Sequence, residues 1–310
     1  MSTKSNNYQP SQVLTISEDQ AGQRIDNFLL NFLKGVPKTR IYKMLRKGEV
    51  RVNKGRIKPI YRLQANDAVR LPPLFMDEKP QKVSRSLDKV QQLEQRIIYE
   101  SDRLIVLNKP AGMAVHGGSG ESFGVIEALR SLRDDLHYVE LVHRLDKLTS
   151  GCLMIAKKRS TLRYLHEQLR NRQLNKTYEA IVWGHWPKNI RQISEPLKTL
   201  RLANGDRRSI VDASGKASTT RFELLSHIGN DQSHIIAKPV TGRMHQIRVH
   251  CAWHENPICG DKKYLTDKQL VAKHQRLCLH AKAIAFRESA DHEITKVECH
   301  SDSFNRYLNP

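Results

Sequence analysis

Hydrophobic positions near the start of the chain recur with a helical period. Apolar side chains between residues 24 and 33 fall at i, i+3, i+4, i+7 and i+8, which predicts a helix with one buried face. The same kind of pattern over 38–47 predicts a second helix, which Gly48 ends. Apolar runs at 50–52 and 68–71 predict short strands. We therefore expect two helices and a small sheet in this part of the chain.

Polar stretches mark where this first module begins and ends. Residues 1–12 have no apolar periodicity, so we expect a flexible tail there and a first domain over 13–80. Two adjacent prolines are followed by a polar stretch with the composition of an interdomain linker, which we assign to 81–96. A few apolar residues within it are spaced for a short helix. The remaining residues, 97–310, form the second domain.

The second domain shows both strand-like and helical patterns without a steady alternation of the two. The strand-like runs lie at 97–99, 104–107, 138–142, 152–156, 178–183, 234–237 and 279–286, and the helical runs lie at 125–133, 160–172 and 244–253. Strands predominate, and the regular strand–helix–strand repeat of a doubly wound fold is missing. The pattern favours an α+β domain built on a mixed sheet.

Composition narrows the class of partner. The 310 residues include 52 Lys and Arg against 32 Asp and Glu, a net charge of +20, which favours a polyanion such as nucleic acid. The start of the chain is polar, and no apolar run reaches the roughly 18 residues that a membrane span needs, so we expect no membrane partner. Five cysteines without a CxxC pair argue against a disulfide framework, and the cytoplasm is the expected compartment.

The excess positive charge is concentrated in one segment. Residues 34–60 hold ten Lys or Arg and a single acidic residue, Glu49, which gives a net charge of +9. The apolar residues of the second helix lie apart from its cations, so the module can fold and still present a cationic face to phosphates. A charge run of this kind can also be only a solvated surface. The candidate RNA-binding residues are Lys38, Arg40, Lys43, Arg46, Lys47, Arg51, Lys54, Arg56 and Lys58.

The segment from Arg24 to Leu71 resembles an S4 RNA-binding domain in pattern and length. Its sequence is RIDNFLLNFLKGVPKTRIYKMLRKGEVRVNKGRIKPIYRLQANDAVRL. The resemblance implies recognition of structured RNA, with the two helices and the loop that follows them on the nucleic acid. It does not by itself imply catalysis.

The sequence HRLDKLTSG, residues 143–151, carries the first candidate for chemistry. It lies between two strand-like runs, so its polar side chains are expected in a loop at the edge of a sheet, where sites are common. Arg144 and Lys147 would keep a partly buried Asp146 ionised and therefore nucleophilic. The alternative is a turn aspartate that accepts hydrogen bonds from backbone N–H groups, aided by the Thr-Ser-Gly that follows.

The sequence TGRMHQIRVH, residues 241–250, follows another strand-like run and is expected to turn into a helix. Its crowded polar side chains are Arg243, His245, Gln246, Arg248 and His250. They are candidates for a site, but they can alternatively line a surface that faces RNA. His250 and His254 are spaced i, i+4 with Cys251 and Cys259 nearby, yet neither CxxC nor HExxH accompanies them, which disfavours zinc.

Two further segments are candidates for the same site. Tyr178 lies in KTYEAIVWG, where it shares a strand face with Ala180 and Val182. A core aromatic is the simpler interpretation, and stacking on an extruded base is the functional one. The glycines of NKPAGMAVHGGSG, residues 108–120, match neither GxxxxGK nor GxGxxG and favour a close backbone turn around a bound chain, with His116 as a candidate substrate contact.

Five sequence blocks occur in the order and approximate spacing found in the pseudouridine synthases that act on large ribosomal RNAs. They are LNKPAGMAVHGGSG, VHRLDKLTSG, KTYEAIVWG, PVTGRMHQIRVH and LHAKAIAF. With the S4-like segment in front, nearly the whole chain resembles this family. The resemblance implies an α+β fold in which a small S4-type helix and sheet domain precedes a catalytic domain with a mixed, largely antiparallel sheet.

The resemblance also implies roles for individual residues. Asp146 corresponds to the catalytic aspartate, Arg243 to the arginine that pairs with it, and Arg144 to the arginine linked to base flipping. Tyr178 corresponds to the tyrosine that stacks on the target base and is a candidate for proton removal at C5. Leu279 corresponds to the apolar wall beneath the uracil, and Gln246 joins the candidate substrate contacts.

Three positions depart from the family's usual pattern. Lys147-Leu148 stands where relatives often have Arg-Asp, Met244 stands where Thr is usual, and Leu265 follows the GDKKY run. None of these changes removes a catalytic group, so they bear on local packing rather than on activity.

The reaction that the resemblance implies is isomerisation of uridine to pseudouridine in 23S ribosomal RNA or a large-subunit assembly intermediate, by a monomer. The uridine is extruded, its C1′–N1 bond is cleaved, and the uracil rotates in place and rejoins through C5. Because the base never leaves, neither a cofactor nor a metal is needed. The other classes considered are a catalytically silent S4-type ribosome-binding protein and a metal-dependent RNA hydrolase that uses the histidine and cysteine cluster.

Overall fold

The computed structural model describes residues 8–33, 35–75, 84, 88–117, 123–136, 138–203, 205–265, 276–301 and 304. The chain divides into two units, residues 1–82 and 83–310.

The helices are α1 (Ile25–Phe32), α2 (Lys38–Lys47), α3 (Asp88–Glu94), α4 (Val125–Leu132), α5 (Arg159–Arg170) and α6 (Gln246–Trp253). The strands are β1 (Tyr8–Gln9), β2 (Gln12–Thr15), β3 (Arg51–Val52), β4 (Ala68–Leu71), β5 (Leu74–Phe75), β6 (Ile97–Glu100), β7 (Leu104–Lys109), β8 (Glu140–Leu141), β9 (Ser150–Ala156), β10 (Asn175–Trp183), β11 (Gln192–Ile193), β12 (Leu197–Arg201), β13 (Arg207–Val211), β14 (Thr220–Ile228), β15 (Gln232–Pro239), β16 (Leu279–Phe286) and β17 (Thr295–Glu298).

The first unit combines α1 and α2 with an antiparallel sheet in the order β2-β4-β3 around one hydrophobic core. In α2, the apolar residues Ile41, Met44 and Leu45 are buried. The helix ends at Gly48, whose φ of 69° is a left-handed conformation that glycine adopts without strain. The two helices and two strands predicted for this part of the chain are confirmed.

The flexible tail predicted for residues 1–12 is wrong for its second half. Tyr8–Gln9 pairs antiparallel with Leu74–Phe75, and Gln12 begins a strand that pairs with β4. Residues 1–7 lie outside the described residues. Both strands are short. In β2, Leu14 packs against the hydrophobic core, but the first strand buries no side chain fully, so backbone hydrogen bonds stabilise it rather than burial of an apolar face. A search for hydrophobic periodicity cannot find such strands.

A large sheet forms the centre of the second unit. Within the described residues its strand order is β11-β14-β15-β10-β16-β9-β7-β6, with β17 beside β16 and β8 beside β9. The strand pairs are antiparallel except for β16 with β9, which run parallel. β9 is buried along its whole length at the middle of the sheet. The mixed, largely antiparallel sheet predicted from the sequence is therefore confirmed.

The parallel contact between β9 and β16 depends on Gly151. This residue has a φ of 107°, and a Cβ atom there would lie 2.3 Å from the carbonyl oxygen of Ala281. No side chain fits in this space, so the two backbones can approach closely only with glycine. The contact fixes the start of β9, directly after the 143–149 loop, against the strand that carries Leu279.

Part of the predicted linker belongs instead to the second unit. Residues 88–94 form α3, which buries Val90 and Leu93 in the main hydrophobic core. Two apolar residues in a polar stretch were enough to bury one helix face. Most of 81–87 lies outside the described residues.

The second unit contains strands that the hydrophobic pattern did not predict. β12 and β13 form a separate two-stranded sheet whose side chains are mostly exposed and include Lys198, Arg201, Arg207 and Arg208. β14 has only a weak alternation of buried and exposed residues. A strand exposed on both faces lacks the period-two burial by which strands are recognised.

Among the described residues, no helix has both the length and the apolar character that crossing a bilayer requires.

Candidate active site

Asp146 lies in the loop between β8 and β9. Its backbone carbonyl accepts a hydrogen bond from the Thr149 N–H at 3.1 Å, which closes the turn. The carboxylate is separate from this turn: its side chain is 32% exposed and lines a cleft of about 1750 Å³. The turn interpretation considered from the sequence therefore does not account for the carboxylate, which is available to a molecule in the cleft.

The carboxylate of Asp146 pairs with Arg248 on α6. Nη1 of Arg248 donates to Oδ2 of Asp146 at 3.0 Å, while Nε and Nη2 donate to the two oxygens of Asp261, each at 2.7 Å. Arg248 and Asp261 are buried. Burial lowers the pKa of Arg248, but its hydrogen bonds and the charges of Asp261 and Asp146 outweigh burial and raise the pKa overall. A permanently charged, planar guanidinium thus holds Asp146 in one position.

An aromatic ring and a histidine complete this cluster. The guanidinium carbon of Arg248 lies 5.2 Å from the ring centre of Tyr264, whose hydroxyl contacts Nδ1 of His245 at 2.8 Å. Nε2 of His245 lies 3.7 Å from Oδ2 of Asp146. His245 has a φ of 56°, and side chains in this left-handed conformation cluster at functional sites. Burial lowers the pKa of His245, so its neutral form is favoured beside the carboxylate.

Arg243 does not make the pair with Asp146 that the family resemblance implied. It is exposed at the cleft, and its Nε donates to the carbonyl of Ala217 at 3.1 Å. The pairing arginine is Arg248, which stands between two buried apolar residues on α6. An arginine in such a position needs a buried acid as partner, and this pattern could have distinguished it from Arg243.

The side chain of Gln246 stabilises the turn before α6. Its Oε1 accepts hydrogen bonds from the Thr241 hydroxyl at 2.7 Å and from the Arg243 N–H at 3.0 Å. Its Nε2 donates to the Thr219 carbonyl and to the Thr220 hydroxyl, each at 2.9 Å. These four bonds use the whole hydrogen-bonding capacity of the amide. These bonds leave the amide no donor or acceptor for a ligand in this structure, and the substrate contact of Gln246 stays a prediction.

Tyr178 on β10 and Leu279 on β16 form buried walls of the same cleft. The pairing register of these strands shifts between Thr177 and Glu179, which places a bulge opposite Tyr178. Bulges redirect side chains and are frequent beside active sites. Burial, and then the charge of Asp146, raises the pKa of the Tyr178 phenol, so the ring is neutral in the resting protein.

Arg144 and His116 are exposed and also line the cleft. Nδ1 of His116 lies 3.9 Å from Oε1 of Glu127 at the start of α4. Both side chains are thus accessible to a bound molecule, as their predicted substrate-binding roles require. The structure brings the following predicted site residues to one cleft: Asp146, Tyr178, Arg243, Arg144, Leu279, His116 and Gln246.

The site contains a buried cation that the sequence interpretation missed. Nζ of Lys109, at the end of β7, donates to the carbonyl oxygens of Pro110, Met113 and Lys147 at 2.9, 2.8 and 3.1 Å. Three acceptors match the three N–H bonds of an ammonium group. Burial lowers the pKa of Lys109 to about 7, and the charge of Asp146 opposes that change. A lysine at the last position of a buried strand was the pattern that could have indicated it.

The histidine and cysteine cluster that was considered as a zinc site makes other contacts. The two ring nitrogens of His250 lie 2.9 Å from the hydroxyls of Thr220 and Ser218. Cys251 and Cys259 are packed in the main hydrophobic core. Within the described parts of the chain, no three or more His, Cys, Asp or Glu side chains are arranged to hold a metal ion.

The first unit displays most of its predicted RNA-binding cations at the surface. Arg40 pairs with Glu49 at 2.8 Å, and Nε of Arg51 donates to the Gly48 carbonyl at 3.3 Å, so these two also stabilise the module. The exposed cations are Lys38, Lys43, Arg46, Lys47, Arg51, Lys54, Arg56 and Lys58. They follow α2 and the loop after it, where the S4-like pattern predicted contact with nucleic acid.

Two family models match the chain in the same order as the two units. The S4 domain model matches residues 23–69, and the RNA pseudouridylate synthase model matches residues 103–253. A protein of Pasteurella multocida (strain Pm70) named ribosomal large subunit pseudouridine synthase C is 52% identical over 95% of this chain and 91% of its own length. The protein of the same name from Escherichia coli (strain K12) is 49% identical over 94% of this chain and 93% of its own length.

The chain belongs to the RNA pseudouridylate synthase family. Two solved structures of the family support the fold of this RNA pseudouridine synthase. Human RNA Pseudouridylate Synthase Domain Containing 1 is 25% identical, with a TM-score of 0.60, over 70% of this chain and 87% of its own. Human RNA Pseudouridylate Synthase Domain Containing 4 is 26% identical, with a TM-score of 0.57, over 70% of this chain and 93% of its own.

Proposed function

We propose that this synthase isomerises specific uridines of the large-subunit 23S ribosomal RNA, as a monomer in the cytoplasm, with Asp146 as the catalytic carboxylate. The observation that carries the proposal is the position of that carboxylate. It is held by Arg248, it remains partly exposed, and it shares a cleft with Tyr178 and Leu279. Relatives named for the large ribosomal subunit, aligned over more than nine-tenths of this chain, support the choice of RNA.

The cationic surface of the first unit binds the RNA through its phosphates. The target uridine then leaves its stack and enters the cleft, since Asp146 cannot reach the sugar–base bond inside a folded helix. Extrusion costs a few kcal/mol, and Arg144 offsets part of this cost by occupying the space near the displaced base. Exposure of Arg144 at the cleft supports this role.

Asp146 promotes cleavage of the C1′–N1 bond in one of two ways. It either attacks C1′ as a nucleophile or removes a proton from C2′ as a base. In both cases the detached uracil stays in the cleft, rotates and forms a new bond from C5 to C1′, after which C5 loses its proton. Arg248 acts as a positioning residue, because Asp261 fixes its guanidinium and the guanidinium in turn keeps Asp146 where the sugar must arrive.

Tyr178 and Leu279 hold the uracil while it is detached. The ring of Tyr178 offers a stacking surface, and Leu279 provides an apolar contact that excludes water from the base. Because the Tyr178 phenol is neutral in the resting enzyme, it can accept the proton from C5 only if it gives its own proton to N1 of the uracil, which carries a proton in the product. The reaction is an isomerisation without net oxidation or hydrolysis, and it requires no cofactor and no metal.

The decisive experiment compares wild type with Asp146→Asn in a bacterial strain that lacks its own ribosomal RNA pseudouridine synthases. Pseudouridine in the 23S RNA is mapped by carbodiimide-dependent reverse-transcription stops. We expect stops with wild type and none with the variant. Asp291→Asn, a change at an exposed aspartate that does not line the cleft, is the matched control and should behave as wild type. Modification by Asp146→Asn would refute the role of the carboxylate.

The same experiment tests the silent ribosome-binding alternative. That alternative expects wild type to co-purify with ribosomal RNA and to leave no pseudouridine. Stops that appear with wild type and with Asp291→Asn, but disappear with Asp146→Asn, contradict it.

A further inference from the structure

Among the described residues of the second unit, Lys176 is a cation without a counterion. It lies on β10, two residues before Tyr178, and is only partly accessible to water. Within the described residues its ammonium has no hydrogen-bond or ion-pair partner, in contrast to Lys109 and Arg248. Burial lowers the pKa of Lys176 with no opposing acid. Partial burial of an unpaired ammonium destabilises a fold, and such a group is expected where a ligand supplies the missing anion.

The surroundings of Lys176 leave room for that anion. A Cβ atom at Gly242 would lie 3.8 Å from Nζ of Lys176 and would have no other neighbour within 4 Å. Gly242 is exposed, and both residues line the cleft that contains Asp146. The absence of a side chain at position 242 therefore leaves an open notch beside the ammonium. We refer to Lys176 and Gly242 together as the Lys176 notch.

The Lys176 notch lies close to Tyr178 on β10. Residues two apart on a strand point to the same face and lie about 6.8 Å apart. Lys176 and Tyr178 both line the cleft, so the ammonium lies on the same strand face as the ring on which we propose that the base stacks. His143 also lines the cleft. Burial, and then the charge of Lys176, lowers its pKa to about 3, so His143 is neutral and does not compete with Lys176 for an anion.

We propose that the Lys176 notch binds a non-bridging oxygen of the phosphodiester next to the target uridine, and so places the ribose against Asp146. The proposal rests on the proposed function, since the anion is a phosphate of the RNA substrate. A charged hydrogen bond in a partly dehydrated cleft is stronger than one on an open surface. Lys176 is a substrate-binding residue in this scheme, and Gly242 supplies the space that the phosphate needs.

Three variants separate this role from a structural one. Lys176→Met removes the charge and keeps the length of the side chain, Lys176→Arg keeps the charge, and Gly242→Val fills the notch at a residue whose backbone φ is not left-handed. Lys188→Met, at an exposed lysine outside the cleft lining, is the control for loss of one positive charge. Turnover is followed by release of tritium from a 23S transcript labelled at uracil C5, and binding by fluorescence anisotropy over a salt titration.

We expect Lys176→Met to lower kcat/KM by about tenfold or more, mainly through KM, because hydrogen bonds to charged groups have that strength. The slope of log affinity against log salt should fall by about 0.7–0.9, the amount for one neutralised phosphate. Lys176→Arg should restore most of the loss, whereas Gly242→Val should reproduce it. Without RNA, Lys176→Met should unfold at the same or a higher temperature than wild type, since it removes an uncompensated charge.

Lower thermal stability of Lys176→Met than of wild type would overturn the proposal in favour of a structural role. If Lys176→Arg failed to restore kcat/KM and affinity, the proposal would be overturned in favour of a structural or proton-transfer role. Loss of affinity and salt slope in Lys188→Met equal to that in Lys176→Met would also overturn it. The binding measurement does not require turnover. A wild-type protein that binds the transcript but releases no tritium therefore refutes the proposed function while still deciding the role of Lys176.

Discussion

Oδ2 of Asp146 lies 3.0 Å from Nη1 of Arg248, although 102 residues separate the two in the chain. The same guanidinium donates to both oxygens of Asp261, which is buried. Arg248 therefore has two functions: it holds the carboxylate that we propose is catalytic, and it neutralises an acid in the core. A substitution of Arg248 should therefore affect both the activity and the stability of the protein.

Replacing Arg248 by methionine is expected to lower the free energy of unfolding by about 3–5 kcal/mol, because Asp261 is left buried without a counterion. Tritium release from the 23S transcript should fall to near background, since Asp146 is no longer held. Urea unfolding and the tritium assay measure the two effects. Arg243→Met, at the exposed arginine, should change the unfolding free energy by less than about 0.5 kcal/mol. Comparable destabilisation by both variants would contradict the assignment of the pair.

Gly151→Ala is expected to destabilise the second unit severely, because the new Cβ would lie 2.3 Å from the Ala281 carbonyl oxygen and β9 would have to move away from β16. Gly205→Ala is the matched control: its φ of 81° is also left-handed, but no atom lies within 4 Å of the added Cβ. The control should cost only about 1–2 kcal/mol of backbone strain. Thermal unfolding of the two variants measures the difference. Equal losses would show that backbone conformation alone, rather than the close strand contact, requires glycine at 151.

The stability of the protein is expected to fall as the pH is lowered from about 6.5 towards 3. Burial, followed by the charge of Lys176, lowers the pKa of His143 from 6.5 to about 3. Nε2 of His143 also accepts a hydrogen bond from the Met154 N–H at 3.2 Å, which requires an unprotonated nitrogen. Between these pH values His143 is protonated in the unfolded chain but not in the folded chain. Each unit of pKa difference between the two states changes the free energy of unfolding by about 1.4 kcal/mol.

His143→Gln tests this pH dependence, because the glutamine oxygen can accept the same hydrogen bond but does not titrate. Unfolding free energies measured at several pH values should decline less steeply below pH 6.5 in the variant than in wild type. Parallel curves for the two proteins would assign the acid sensitivity to other groups.

Neutralising exposed cations of α2 should weaken RNA binding mainly through its electrostatic part. Replacement of Lys43, Arg46 and Lys47 together by glutamine is expected to reduce the slope of log affinity against log salt by about 2–3, at roughly 0.7–0.9 for each phosphate that is no longer neutralised. The control replaces three exposed lysines of the second unit, Lys188, Lys238 and Lys296, for the same change in net charge. A similar reduction of the slope in the control would mean that total charge, rather than the S4 surface, governs binding.

Hydrophobic periodicity was sufficient to predict the elements that bury one face or both. It found α1 and α2 through their apolar stripes, and β9 and β10 through their apolar runs, to within a few residues. It failed for the β12–β13 hairpin and for the strand at Tyr8–Gln9, because neither has a buried face to repeat along the chain. Backbone pairing holds these elements, and it leaves little trace in side-chain polarity.

Motif order selected candidate residues that line one cleft together with Asp146, but it could not assign contacts between them. Arg243 and Arg248 stand five residues apart in one motif, and which of them reaches Asp146 depends on where α6 begins and how it is rotated. The hydrogen bonds of Gln246 could not be predicted for a related reason: its amide bonds to backbone and hydroxyl groups that come together only in the fold. Lys109 was missed because its partners are backbone carbonyls, which carry no sequence signature.

Asp146 is far along the chain from Arg248 and Asp261, and this distance determines the order in which these residues emerge during translation. The RNA-binding unit, which has its own core, leaves the exit tunnel first, and Asp146 follows it. Arg248 and Asp261 are synthesised more than a hundred residues later, so the contacts that hold the carboxylate cannot form before these two residues have been made. We therefore expect a chain that ends before Arg248 to bind RNA without modifying it, and so to compete with the protein that contains both residues.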